Sequence, residues 1–147
     1  MKTEYESNCL IDTNVLVYAY NNSDAEKNQK AKELIKKCWQ GQIVLFLSVQ
    51  NLSEFYSVMT GKIKTPLSGQ EIKDRIEAIL NFSGWKVFGI TKNTIPLALS
   101  MCIDYSVPYW DALIMAVMKE QGIVHIYTEN IKDFNKVPGI IPINPFK

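Results

Sequence analysis

The chain has 147 residues, 47% hydrophobic and 21% charged, and this balance excludes an intrinsically disordered or low-complexity protein. Sixteen basic and fifteen acidic residues give a net charge of +1, which argues against tight non-specific binding to duplex DNA. No apolar run approaches the roughly 18–20 residues needed to span a bilayer, and the first residues do not resemble a signal peptide. We therefore predict one cytoplasmic domain over residues 1–147, with no membrane contact.

Strand-like and helix-like segments alternate along the chain. In order, we predict a strand at 9–11, helices at 15–20 and 24–39, a strand at 43–47, helices at 48–60 and 68–80, a strand at 85–90, helices at 94–105 and 109–121, and strands at 123–127 and 140–143. Ser48 and Ser68 are typical N-caps, and Glu71 completes a capping box with Ser68. This alternation predicts an α/β fold, a central parallel sheet flanked by helices on both faces.

Apolar positions within these segments predict the core. The helix at 68–80 should bury a stripe formed by Ile72, Ile76, Ile79 and Leu80. The three cysteines are odd in number and far apart, and we expect all of them to be buried free thiols of a reducing compartment: Cys9, Cys38 and Cys102. His125 is the only histidine, so a metal site built on several histidines is excluded.

Several acidic residues fall at predicted strand ends and helix starts. Asp12 follows the first strand, Glu54 lies in the helix after the second, and Asp111 lies in the first turn of a later helix. Thr128 and Asn130 directly follow the strand at 123–127. Because strand exits and helix entries meet at one edge of a parallel sheet, these side chains could converge there.

Converging carboxylates would repel one another, and a divalent cation would relieve that repulsion. Oxygen-only ligands favour the hard cations Mg²⁺ or Mn²⁺, which can activate water and offset charge on a phosphodiester. Each acid also has an ordinary interpretation. Asp12 and Asp111 could be helix caps, and Glu54 could be a solvated helix position. Position and spacing alone leave both interpretations open.

Five segments resemble the PIN-domain family, specifically its VapC-type toxin branch. They are Leu10-Ile-Asp-Thr-Asn-Val-Leu16, Asn51-Leu-Ser-Glu-Phe-Tyr56, Tyr109-Trp-Asp-Ala-Leu-Ile114, Tyr127-Thr-Glu-Asn-Ile-Lys-Asp-Phe134 and Ile143-Asn-Pro-Phe146. The resemblance implies an Mg²⁺- or Mn²⁺-dependent endoribonuclease that leaves a 5′-phosphate and a 3′-hydroxyl. It also implies a homodimer that pairs with a small antitoxin protein.

Carried onto this chain, the resemblance makes Asp12, Glu54, Asp111 and Asn130 the catalytic, metal-binding residues. Thr13 or Asn14 would orient ligands, and Thr128 would lie beside the metal. The family commonly has an aspartate where this chain has Asn130. An asparagine carbonyl can bind a hard cation but adds no charge, so we expect a weaker site that needs more metal, with Glu129 or Asp133 as possible substitutes.

Two other functions compete with the ribonuclease. One is a non-catalytic PIN module that binds RNA or a protein. The other is a phosphotransferase or phosphatase with Asp12 as covalent nucleophile, which is disfavoured because Asn14 stands where such enzymes usually have a second acid. Lys62, Lys64 and Lys132 could steer RNA phosphates or could be solvated surface residues.

Overall fold

A computed structural model describes residues 7–147, which form five strands and seven helices. The strands are β1 (Cys9–Ile11), β2 (Leu45–Ser48), β3 (Trp85–Phe88), β4 (His125–Tyr127) and β5 (Ile141–Ile143). The helices are α1 (Thr13–Tyr20), α2 (Ala25–Trp39), α3 (Val49–Gly61), α4 (Gly69–Asn81), α5 (Thr94–Tyr105), α6 (Tyr109–Gln121) and α7 (Ile131–Phe134). No helix in this part of the chain is both long and apolar enough to cross a membrane.

The five strands form one parallel sheet in the order β3-β2-β1-β4-β5. The chain first builds outward from β1 through β2 to β3, and then returns to add β4 and β5 on the other side of β1. The strand order therefore reverses between β1 and β4. In open parallel sheets this reversal leaves a crevice at the carboxyl ends of the two strands, where ligands bind.

Each face of the sheet is covered by its own hydrophobic cluster. Alternate residues of β1 point to opposite faces, so Cys9 and Ile11 join the cluster beneath α1 to α4, whereas Leu10 joins the cluster beneath α5 and α6. All three have no exposed surface, as expected for the central strand of a sheet covered on both sides. The predicted fold class is confirmed.

Local capping signals set most helix boundaries as predicted. Ser48 accepts a hydrogen bond from the Gln50 N–H at the start of α3, and Ser68 with Glu71 forms the predicted capping box of α4. Gly122 ends α6 in the left-handed conformation, at φ 69°. Helices α5 and α6 have the predicted bounds.

Other predictions were wrong in detail. Leu80 is 54% exposed rather than part of the buried stripe of α4, because the helix rotates it away from the core. Cys102 is only partly buried, although it is a free thiol like the buried Cys9 and Cys38. Strand β1 has its predicted bounds, whereas β2 to β5 are shorter than the apolar runs that predicted them, and the short helix α7 was not predicted.

Candidate active site

Asp12 lies at the carboxyl end of β1 and is the N-cap of α1. Its Oδ1 accepts a hydrogen bond from the Thr13 N–H at 2.8 Å, and its Oδ2 accepts one from the Thr128 hydroxyl at 2.7 Å. The side chain is thus both a helix cap and a link between β1 and β4. Burial raises the pKa of Asp12, although the hydrogen bonds from Thr128 and Thr13 oppose this and nearby Glu54 adds to it.

A buried polar chain joins the start of α1 to the start of α3. Asn51 donates from Nδ2 to the Thr13 hydroxyl at 3.1 Å and accepts from the Ser48 N–H at 2.9 Å. Thr13 and Asn51 are both buried, so these bonds satisfy groups that water cannot reach. Asn14 lies on the neighbouring cleft, where its buried Oδ1 has no hydrogen-bond partner among the described residues.

Glu54 projects from α3 and is held by Gln50, one turn earlier on the same helix. Gln50 donates from Nε2 to Glu54 Oε1 at 3.1 Å and to the carbonyl oxygen of Trp110 at 3.0 Å. Gln50 is 8% exposed, and one amide group therefore links Glu54 to the residue before Asp111. Gln50 was not predicted from the sequence, although its position one turn before Glu54 was an available signal.

Asp111 lies in the first turn of α6 and faces the acids of the other elements. Burial raises its pKa to about 6, and the negative charges of Asp12, Asp133 and Glu54 contribute in that order. Asn130 donates from Nδ2 to Asp111 Oδ2 at 3.0 Å, which partly opposes the rise in pKa. Asp12 and Glu54 therefore lie close enough to Asp111 for their charges to raise its pKa.

Asn130 presents its amide N–H₂ group, not its oxygen, to these acids. Nδ2 also reaches Asp133 Oδ2 at 3.2 Å, while the side-chain oxygen caps α7 by accepting the Asp133 N–H at 3.4 Å. A carboxylate at this position could cap the helix but could not donate to Asp111. Asn130 therefore stabilises the charge on Asp111 in this conformation.

The two residues proposed as substitutes for a fourth acid have different surroundings. Glu129 forms an ion pair with Lys27, whose ammonium lies 5.0 Å from the centre of the Tyr18 ring. Asp133 instead raises the pKa of Asp111, while its own pKa is lowered by hydrogen bonds from Lys136 and Asn130. Of the two, Asp133 is the acid that acts on Asp111.

These groups line one cleft of about 500 Å³ at the carboxyl edge of the sheet. Its wall comprises Asp12, Thr13, Asn14, Val17, Tyr18, Asn21, Ser23, Glu54, Val58, Asp111 and Asn130. Among residues 7–147, no three acidic, cysteine or histidine side chains lie close enough together to form a ready metal-binding cluster. The carboxylates therefore line one cleft but are too far apart to bind one ion directly as a group of three.

The donor chemistry of the cleft nevertheless fits a hydrated hard cation. Its acids offer only oxygen atoms, and Asn14 adds a buried oxygen that has no partner in the described structure. Mg²⁺ commonly retains several water ligands and uses one or two carboxylates, so it does not require three carboxylates in direct contact. Burial is the main cause of the raised pKa values of Asp12 and Asp111, and the negative charges of neighbouring acids add to it.

Comparison with known proteins identifies the family. The model of the PIN domain matches residues 9–140. The chain belongs to the PIN domain family. None of the curated proteins matches the chain.

Solved structures share this PIN fold over most of their length. VapC20 of Mycobacterium tuberculosis, a Sarcin-Ricin loop cleaving toxin, is 20% identical with a TM-score of 0.66, covering 84% of this chain and 91% of its own. A toxin-antitoxin complex from Klebsiella pneumoniae includes a chain 17% identical with a TM-score of 0.61, covering 93% and 97%. VapBC2 from Rickettsia felis, bound to promoter DNA, includes a chain 17% identical with a TM-score of 0.63, covering 92% and 96%. The predicted resemblance to PIN toxins is confirmed for the fold.

Proposed function

We propose that this PIN domain is a metal-dependent endoribonuclease and the toxin of a toxin-antitoxin pair, acting in the cytoplasm. The observation that carries the proposal is the convergence of Asp12, Glu54 and Asp111 on one cleft at the strand-order reversal. Family membership and the toxins among the structural neighbours support the same function. The substrate is RNA, and the bond broken is a phosphodiester.

Asp12, Glu54 and Asp111 would hold Mg²⁺ or Mn²⁺, and Asn130 would contribute directly or through water after rotating its amide. The bound ion would lower the pKa of water and offset negative charge on the phosphodiester. The protein holds these groups in place: Thr128 and the Thr13 N–H fix Asp12, and Gln50 fixes Glu54. Preorganised ligands of this kind lower the cost of assembling the site around the substrate.

The ribonuclease is tested by cleavage of total RNA in EDTA, Mg²⁺ and Mn²⁺. We expect cleavage with either metal, none in EDTA, and loss of cleavage in Asp12→Asn. The matched control is Asp104→Asn, because Asp104 is an exposed acid in the last turn of α5 and is not on the cleft wall. Cleavage that persists in EDTA, or that Asp12→Asn leaves intact, would contradict the proposed function.

The competing function is a non-catalytic PIN module, which is favoured by the hydrogen bond from the Asn130 amide to Asp111, because this bond stabilises the carboxylate without a metal. The same variants separate the two functions. If the chain is a non-catalytic module, the wild type will not cleave RNA with either metal. Asp12→Asn will then bind RNA as well as the wild type does.

We also propose two protein partners, an antitoxin and a second copy of the chain. The neighbours include toxin-antitoxin complexes, and the family resemblance implies a homodimer. Helix α5 exposes an apolar stripe at four-residue spacing, formed by Ile95, Leu99 and Ile103. Ile103 is the most exposed of the three, at 81%. Burial of this stripe between two copies would remove it from water, so we expect Ile103→Asp to convert a dimer to a monomer in sedimentation experiments.

A further inference from the structure

A second cleft adjoins the acidic one and carries the opposite charge. It has a volume of about 350 Å³ and lies between the end of α1, helix α2, the loop after α3, and α4. Asn21 lies on the walls of both clefts, so the two adjoin at this residue. Within the described structure the second cleft is lined by two cationic residues, Lys32 and Arg75, and by no carboxylate.

Neither cation is neutralised by a neighbour. No carboxylate among residues 7–147 forms an ion pair with Lys32 or Arg75. Arg75 instead lies over the Tyr20 ring, with 5.5 Å between its guanidinium carbon and the ring centre. Its buried Nε has no hydrogen-bond partner in the described part of the chain. A buried guanidinium N–H without an acceptor is costly, and the guanidinium lines the cleft, where an anion would interact with its positive charge.

The acidic cleft needs such a neighbour if its substrate is a polyanion. Other lysines do not supply this charge. Lys27 forms an ion pair with Glu129, and neither Lys62 nor Lys132 lines the acidic cleft. Lys32 and Arg75 therefore supply positive charge next to carboxylates that would otherwise repel RNA. The forked guanidinium of Arg75 suits a phosphate group, and the amides of Asn21 and Asn22 on the same wall can donate hydrogen bonds to the same strand.

We infer that the cleft formed by Lys32, Arg75 and Asn21 binds a backbone phosphate of the RNA strand adjoining the phosphodiester in the acidic cleft. This inference deepens the proposed function and rests on it. An acidic segment of a protein partner could satisfy the same cations. The shared wall residue Asn21 favours RNA, because a strand that passes over Asn21 would contact both clefts.

Binding of a mixed-sequence, single-stranded RNA of twelve nucleotides tests the inference, measured by fluorescence anisotropy in EDTA across a salt series. We expect Lys32→Gln and Arg75→Gln each to weaken binding by about fivefold and to reduce the slope of log K against log salt by about 0.7. The matched control is Lys119→Gln, which removes the same charge about 12 Å along α6 from Asp111, at 1.5 Å per residue. It should leave both the affinity and the slope unchanged.

Circular dichroism checks that each variant is folded. If Arg75→Gln unfolds, Lys32→Gln and Lys32→Glu still decide the question, because Lys32 is exposed and holds no other side chain in place. Unchanged affinity and slope in the Lys32 variants, or an equal loss in Lys119→Gln, would overturn the inference. A parallel titration with poly-glutamate detects the protein alternative: if only poly-glutamate binding falls in the variants, the cleft binds an acidic protein segment and not RNA.

The design separates this inference from the proposed function. A wild type that cleaves RNA while the Lys32 variants bind it normally refutes the phosphate subsite alone. A wild type that binds RNA through Lys32 but never cleaves it refutes the ribonuclease alone. Absence of RNA binding by the wild type in EDTA refutes the phosphate subsite, and the cleavage assay with Mg²⁺ and Mn²⁺ still decides the ribonuclease.

Discussion

Asp111 carries an electrostatic penalty that can be measured directly in the metal-free protein. Burial and the charges of Asp12, Asp133 and Glu54 raise its pKa from 3.8 to about 6, so the folded protein disfavours the ionised form at neutral pH. We expect Asp111→Asn to stabilise the protein in EDTA at pH 7.5. Asparagine removes the charge and can still accept the hydrogen bond from Asn130.

The magnitude follows from the difference between the two pKa values. At 1.36 kcal/mol per pKa unit it corresponds to about 3 kcal/mol, which solvent screening of the half-buried carboxylate reduces to roughly 1–2 kcal/mol. Because the pKa is raised by folding, the wild type is penalised above pH 6 and loses the penalty as pH falls towards 3.8. The variant should therefore be more stable at pH 7.5 and equal to the wild type at pH 3.5.

Urea denaturation monitored by circular dichroism at both pH values is the assay, and Asp104→Asn is the control for removing an exposed acid. Added Mn²⁺ should reverse the order at pH 7.5, because the wild type binds the cation more tightly and gains more stability from it. A variant no more stable than the wild type in EDTA, or a gain that persists undiminished at pH 3.5, would refute the assignment of this penalty to the ionised Asp111.

Three further predictions concern two residues of the site and one helix cap outside it. Asn130→Asp should lower the Mn²⁺ concentration for half-maximal cleavage, since it adds a negative charge to the cleft, and an unchanged metal titration would show that Asn130 does not limit metal binding. Gln50→Leu should reduce kcat by about tenfold, because it removes the hydrogen bond to Glu54. Gln50→Glu cannot donate this bond and should reduce kcat at least as much. A normal kcat in both variants would mean that Gln50 does not position Glu54. Ser68→Ala, which removes the capping box of α4, should cost about 1 kcal/mol in urea unfolding without changing the metal requirement, and a shifted metal requirement would be unexpected for a residue outside the cleft.

Local signals in the sequence determined much of the secondary structure. Ser48 and Ser68 were recognised as helix caps because a cap depends on hydrogen bonds to residues two or three positions away. The bounds of α5 and α6 followed from equally local signals, including Pro108 and Gly122. The alternation of strands and helices then fixed the fold class, because buried parallel strands require helices on both faces.

Position along the chain also indicated which acids could meet. Asp12 and Thr128 were expected at the same edge because each follows a parallel strand, and their side chains are in fact hydrogen-bonded across 116 residues of sequence. Asp111 was expected there because it starts a helix. The convergence of Asp12, Glu54 and Asp111 on one cleft agrees with this expectation, whereas their role as metal ligands stays a prediction.

Contacts between elements distant in sequence were decided only by the tertiary structure. The bond from Gln50 to the Trp110 carbonyl depends on how α3 approaches α6, and the placement of Lys32 and Arg75 on one cleft depends on how α2 and α4 are arranged. Periodicity gives the face of each helix but not its rotation to the last few tens of degrees, which is why Leu80 was wrongly expected in the core. These features arise from packing among many side chains, and no short segment of sequence contains the information that specifies them.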